Sequence, residues 1–245
     1  MMRLQCKGRH YKDVNCEVEQ RWEEGERNIF LEGVNGHRYL GRALKGEGFI
    51  DIQGVPGDDL GMFADGVTVR VRGNAQDGVG NTMNAGKIIV EGDVRDITGH
   101  SMRGGKIWVG GNAGYRLGIH MKSFQDDYPV IIVGGNTGDF LGEYMAGGLI
   151  IVLNLKEDGD TPSVGNYTAT GMHGGKIFIR GKISQEQVGR GIGLAPPGEK
   201  DFLEVSRYLD EYRKDLEIHL PSLDPNSFTK LFPLTTRPYG RLYAY

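Results

Sequence analysis

Cysteine is nearly absent from this chain of 245 residues, which has only Cys6 and Cys16. Without a secretion signal no disulfide is expected between them. Two thiols are also too few to close a zinc or iron–sulfur site without His or an outside ligand. Proline is scarce, at nine residues, which excludes collagen and Pro-rich linkers. No apolar run approaches the ~20 residues of a membrane-spanning helix. The opening segment, MMRLQCKGRHYKDV, lacks the apolar stretch of a signal peptide, so a cytoplasmic location is expected. Aromatics are few, and the formal net charge of -3 gives no reason to expect nucleic acid or an anionic membrane as a partner. The length allows one or two domains and a substantial core.

Glycine is what the chain has in excess: 40 residues, more than twice the usual share of ~7%. In an otherwise ordinary composition, this points to many backbone positions that need positive φ. The glycines are also periodic. Gly54, Gly73, Gly92 and Gly111 are each 19 residues apart. Gly135 follows after a 5-residue insertion, Asn154 after another 19 residues, and Gly181 after an 8-residue insertion. The inserted segments, KSFQDDYP and KEDGDTPS, have the polar, Asp- and Pro-bearing composition of surface loops.

In this register GVTVRVRG, AGKIIVEG, GGKIWVGG, YPVIIVGG, GGLIIVLN and GGKIFIRG are one strand repeated. One column reads Ile50, Val69, Ile88, Ile107, Ile131, Ile150 and Ile177, and a second, two residues on, reads Ile52, Val71, Val90, Val109, Val133, Val152 and Ile179. β-Branched residues at period two form one buried strand face. Met83, Met102, Met121, Met145 and Met172 make a third column, read as core filling. Leu60, Val79, Thr98, Leu117, Leu141 and Thr168 make a fourth. Like residues at a fixed period stack into ladders, one coil about 4.8 Å above the last, and the coils are stable only as a stack. The expected fold is therefore all-β: a single-stranded, right-handed parallel β-helix of about seven 19-residue coils. Its corners are expected at the glycines and at Asn74, Asp93, Asn112 and Asn136, with left-handed backbone there.

Residues 1–40 are charged and are expected to cap the first coil, with the β-helix over 41–195 and a helix and docking tail over 196–245. Asp201–Leu220 places Phe202, Leu203, Val205, Leu209, Tyr212 and Leu216 at helical spacing, ended by Pro221. The tail FTKLFPLTTRPYGRLYAY reads as an extended arm.

A search for chemistry finds no catalytic constellation. GxSxG and HExxH are missing from the sequence. Gly46-Glu47-Gly48 and Gly191-Ile192-Gly193 open no βαβ unit. His10, His37, His100, His120, His173 and His219 share no column, and the acidic pairs Asp58–Asp59 and Asp126–Asp127 fall in corners or loops. No catalytic, cofactor or metal-ligating residue is assigned. The one informative surface is the outward column between the two inward ones: Asp51 and Arg70, then Ile89, Trp108, Ile132, Ile151 and Phe178. Five large apolar residues on adjacent coils must be covered, either by the chain's own C-terminal helix or tail or by a partner. They are the candidate interaction surface.

The segments GDFLGEYMAGGLIIVL, GNAQDGVGNTMNAGKIIVEG and NGHRYLGRALKGEGFIDIQG resemble the GXGXG domain at the C-terminus of the glutamate synthase large subunit. The resemblance covers about residues 33–195, and GEYMAGG is its most specific part. It implies a non-catalytic scaffold subunit in a glutamate-synthase-like oxidoreductase complex of nitrogen metabolism and glutamate biosynthesis. The domain there holds a glutamine amidotransferase and an FMN-binding synthase in register for ammonia transfer. In split systems these partners are separate polypeptides. FMN and iron–sulfur clusters then belong to the partners, with no cofactor on this chain. One of the subunits of formylmethanofuran dehydrogenase carries the same repeat and is the alternative. The entry segment GVNGHRYLGRAL and the coil GNYTATGMHGGKIFIRG favour glutamate synthase. A free-standing β-helix enzyme acting on a polymer is the alternative of another class. The tail after Pro197 matches the large-subunit ending poorly.

Overall fold

The computed structural model describes residues 2–123, 128–155, 163–181 and 183–236. Nine strands pair in chain order, all parallel: β1 (Met2–Gln5), β2 (Asn28–Asn35), β3 (Phe49–Val55), β4 (Asp65–Arg72), β5 (Ala85–Val90), β6 (Lys106–Val109), β7 (Val130–Val133), β8 (Ala146–Val152) and β9 (Gly174–Arg180). Two more strands, β10 (Ile192–Ala195) and β11 (Phe228–Pro233), complete an 11-stranded sheet. β11 inserts antiparallel between β9 and β10. The helices are α1 (Tyr11–Glu23) and α2 (Glu199–Asp215).

The fold is the parallel β-helix that the periodicity predicts. The register places Ile88 against Ile107, Ile107 against Ile131, and Ile131 against Ile150. Both inward columns are sealed from solvent, as is the Met column at 0–1% exposure. The seven strands β3–β9 bound six full turns, one fewer than the expected seven or so. A seventh turn begins with the bridge Thr168–Val188, but β11 takes the strand position above β9. At the other end, Ile29 and Leu31 of β2 pair with Ile50 and Ile52, so the inward columns continue below residue 41. The amphipathic α1 buries Val14, Asn15, Val18 and Trp22 against this end. It is fastened by Asn15 Nδ2 to the Arg38 carbonyl and Trp22 Nε1 to the Lys45 carbonyl, both 2.9 Å.

The corner residues Asn74, Asp93, Asn112 and Asn136 do not have positive φ, contrary to expectation. Their side chains instead link coil to coil. Asn74 Oδ1 accepts the Asp93 N–H at 2.8 Å, Asp93 Oδ1 the Asn112 N–H at 2.7 Å, and Asn112 Oδ1 the Asn136 N–H at 2.9 Å. This ladder explains the glycine beside each rung. A Cβ on Gly92 would lie 2.1 Å from Asn74 Oδ1, inside van der Waals contact.

α2 ends at Asp215, earlier than the sequence suggests and well before Pro221. Glu217 turns left-handed at φ 57, with Glu217 N–H bonded to Lys214 O and Ile218 N–H to Arg213 O. This double bond pattern closes the helix without proline. Leu203, assigned to the apolar face, points to solvent at 66% exposure. The tail residues through Pro233 form β11, while those from Arg237 on lie outside the described residues. So do Asp126, Asp127 and most of the KEDGDTPS insertion.

Candidate functional site

The outward apolar column lies beneath α2. Ile89, Trp108, Ile132, Ile151 and Phe178 are 0–4% exposed, and pack with Val205, Leu209, Tyr212 and Leu216. Polar groups fix the helix in place. Trp108 Nε1 donates to Asp215 at 2.8 Å, and Lys87 and Lys106 pair with Asp215 and Glu211. At the start of α2, Asp201 receives Lys230 at 2.7 Å, Lys176 at 3.1 Å and the Gly198 N–H at 3.2 Å. Burial pushes the Asp201 carboxyl up, but these three donors outweigh it and hold it below the ordinary range. The Asp51–Arg70 pair that begins the column sits in register, yet Asp51 is held in bidentate fashion by Arg72. The five residues are thus interior to this chain rather than open to a partner.

Among the described residues, one surface that α2 leaves open is the corner preceding each strand. There every coil places three left-handed residues at alternate positions, a pattern that the strand-centred register passes over. Successive coils contribute Ile97, Gly99 and Ser101, then Arg116, Gly118 and His120, then Phe140, Gly142 and Tyr144, with φ between 52° and 72°. In these three coils the middle residue faces inward and leaves no room for a side chain: a Cβ on Gly99 would meet Ile131 Cδ1 at 2.4 Å. The sequence signal is a glycine directly after each of Leu60, Val79, Thr98, Leu117 and Leu141; only Thr168 is followed instead by Ala169.

In these three coils the flanking left-handed residues are not glycine, and a β-branched Ile97 at φ 53 is a costly conformer, about 1–2 kcal/mol above right-handed backbone. Inter-coil hydrogen bonds hold it: Ile97 N–H to Tyr115 O at 2.8 Å, Arg116 N–H to Asp139 O at 2.9 Å, and His120 N–H to Glu143 O at 2.9 Å. The conformation turns these side chains outward and stacks them coil over coil. His120 stacks on Tyr144 at 5.3 Å between centroids, and Phe140 on Tyr167 at 5.0 Å. The Arg116 guanidinium sits 5.0 Å over Phe140 and pairs with Glu143 at 3.2 Å.

Two histidines that the sequence leaves scattered meet on this face. The rings of His100 and His120 are 6.1 Å apart, edge to face. His100 Nδ1 lies 3.2 Å from Asn81 Oδ1, and Asn81 Nδ2 donates to Asp59 at 2.9 Å. Burial, and then the neighbouring His120, lower the His100 pKa. Elsewhere His10 caps α1, and buried His37 bonds the Cys6 and Arg9 carbonyls at 3.1 Å. Among the described residues no three His, Cys, Asp or Glu side chains converge as a metal site, and no helix is long and apolar enough to cross a membrane. An open groove of about 720 Å³ lies where α1 meets this face, floored by Trp22, Leu44, Met62 and Phe63.

Comparison with known proteins agrees with this geometry. The GXGXG motif family matches residues 29–190, the span that carries the left-handed columns. Uncharacterized protein MJ1350 of Methanocaldococcus jannaschii is 46% identical over 251 residues, covering 98% of this chain and 95% of its own length.

Proposed function

Given that the chain belongs to the GXGXG motif family, we propose that it is a scaffold subunit of a glutamate-synthase-like complex. In this reading it holds a glutamine amidotransferase and an FMN-binding synthase so that ammonia passes between them without equilibrating with water. FMN and iron–sulfur clusters reside on the partners. The observation that carries the reading is the family match over residues 29–190, which takes in β3 through β9. A rigid stack supports the role physically. Its coils are pinned to one another by main-chain ladders and the Asn74–Asn136 side-chain rungs, so two partners bound on it keep a fixed separation.

The test is reconstitution. A tagged chain should copurify with a glutaminase polypeptide and a flavoprotein from its own organism. Glutamine-dependent amination should become resistant to an ammonia scavenger only when the chain is present. Copurification with neither, or equal scavenger resistance without the chain, refutes the proposal.

A further inference from the structure

Polar side chains from three successive coils form a connected chain on the left-handed face. Asn81 Nδ2 donates to Asp59 Oδ1 at 2.9 Å, and Asn81 Oδ1 lies 3.2 Å from His100 Nδ1. His100 Nε2 in turn lies 3.5 Å from Ser101 Oγ. This order places the protons. A carboxylate only accepts, so the Asn81 amide turns its NH2 to Asp59 and its oxygen to His100. The Thr82 hydroxyl, which donates to the same oxygen at 2.8 Å, holds the amide that way round. Nδ1 of a neutral His100 therefore carries the proton, and Nε2 is left to accept from the Ser101 hydroxyl. Burial and then the neighbouring His120 lower the His100 pKa against the opposing charge of Asp59, so the ring is neutral at neutral pH.

Ser101 is presented outward from left-handed backbone at φ 53 and is partly exposed. A hydroxyl, a base within reach and a group that orients the base are the parts of an activated nucleophile. The nearby main-chain donors are engaged elsewhere. The N–H groups of His100, Ser101, Met102 and Arg103 bond the carbonyls of Ile97, Ile119, Gly99 and Met83 at 2.9–3.1 Å. None of these four can stabilise the oxyanion of a tetrahedral intermediate. That decides which acyl donors suit the site. An amide or alkyl ester needs oxyanion stabilisation, whereas a donor with a good leaving group depends on it far less. For the same reason the product, an alkyl ester on Ser101, is hydrolysed slowly and the acyl group stays in place.

We propose that Ser101 is a covalent acyl-acceptor site, with His100 as its general base, and that its donor is an activated thioester or aryl ester. Asn81 and Asp59 are positioning residues for that base. Ser101 Oγ bonds to the acyl carbon as the bond from that carbon to the thiolate or phenolate breaks. The hydroxyl proton passes to His100 Nε2 and from there to the leaving group, which restores the base without any oxidant or reductant.

The test is acetylation of the full chain by p-nitrophenyl acetate, followed residue by residue by peptide mass spectrometry. Ser101 should be acetylated at least about tenfold faster than the exposed Ser222. The Ser101 rate should rise with pH as His100 loses its proton, with a midpoint below the ordinary histidine value. His100→Gln should bring Ser101 down to the Ser222 rate. Asn81→Leu should slow Ser101 and, in imidazole nitrogen NMR, release His100 from the Nδ1–H tautomer, which a role for Asn81 in stability alone would not do. Circular dichroism checks that both variants fold. Should either unfold, the wild-type rate ratio, pH midpoint and tautomer decide. Ser101 reacting no faster than Ser222, a wild-type His100 in the Nε2–H tautomer, or an unchanged rate in folded His100→Gln overturns the proposal.

Discussion

The Tyr212 hydroxyl on α2 donates a hydrogen bond of 2.9 Å to the main-chain carbonyl of Val109, where β6 ends. A carbonyl at a corner of the solenoid, which already accepts the Gly134 N–H at 2.8 Å, thereby gains a second donor from a helix 103 residues further along the chain. The phenol is sealed from solvent, and burial pushes its pKa well above the ordinary range. α2 is thus seated by both apolar contact and directed polar bonds.

Removing the chain from Glu199 onward should expose the column of Ile89, Trp108, Ile132, Ile151 and Phe178. Each such side chain contributes about 1.5–3 kcal/mol when fully buried. Red-shifted Trp fluorescence, increased binding of a hydrophobic dye, and aggregation on a sizing column are the expected outcomes. A monomeric truncation with unshifted emission would contradict the packing.

Ile107→Ala should destabilise the chain by about 2–5 kcal/mol, because Ile107 is fully enclosed between rungs of like residues and the stack cannot collapse around the gap. Chemical denaturation measures it. A loss below about 1 kcal/mol would mean the interior column is not close-packed.

Gly92→Ala should cost more than about 1 kcal/mol, since the new methyl group meets Asn74 Oδ1 and the Gly73 carbonyl, which lie 2.1 and 3.0 Å from its position. The loss arises from crowding, as Gly92 is not among the positive-φ residues. Asn74→Gly/Gly92→Ala should recover part of it by removing the nearer atom. Equal stabilities for the single and double variants would separate the glycine from the rung.

The two thiols should behave differently. Cys6 is buried, and burial raises its pKa to about 11, whereas Cys16 is exposed. At pH 7.5 a disulfide reagent should label one thiol rapidly, and Cys16→Ser should abolish that phase. Rapid labelling of Cys6 in the folded chain would contradict its enclosure by α1.

Stability should fall on acidification. Asp201 is held below its ordinary pKa, so its contribution is present at neutral pH and is lost as pH drops through the folded value. His100 is also lowered, so protonation favours the unfolded chain once pH falls below about 6.5. Both act in the same direction. Urea midpoints from pH 7 to 4 should decline in the wild type, and less steeply in His100→Gln and Asp201→Asn. An unchanged slope in both variants would place the proton uptake elsewhere.

The columns Ile107–Ile131–Ile150 and Val109–Val133–Val152 were legible in the sequence because stacked coils repeat one chemical demand at one period, and that demand is local. The same logic gave the Met column and the helical spacing of Val205, Leu209 and Tyr212. The corner chemistry was legible only in part. Gly92 and Asn74 stood out as residues, but whether φ or crowding selects the glycine depends on a neighbour one coil away. The left-handed face was least legible, because Ile97, Arg116, Phe140 and Tyr144 are poor candidates for positive φ by type, and only the inter-coil hydrogen bonds make that conformation stable.

By itself, then, the sequence determined the period, the inward faces and the presence of an amphipathic helix, all of which follow from side-chain type at fixed spacing. Tertiary structure decided where that helix lies, that Trp108 faces Asp215 and Tyr212 rather than a partner, and that β11 replaces a further coil above β9. It also brought His100 beside His120. The physical reason is that these relations join residues from different coils or opposite ends of the chain. Their energies come from the burial and pairing of specific partners, which no local preference encodes.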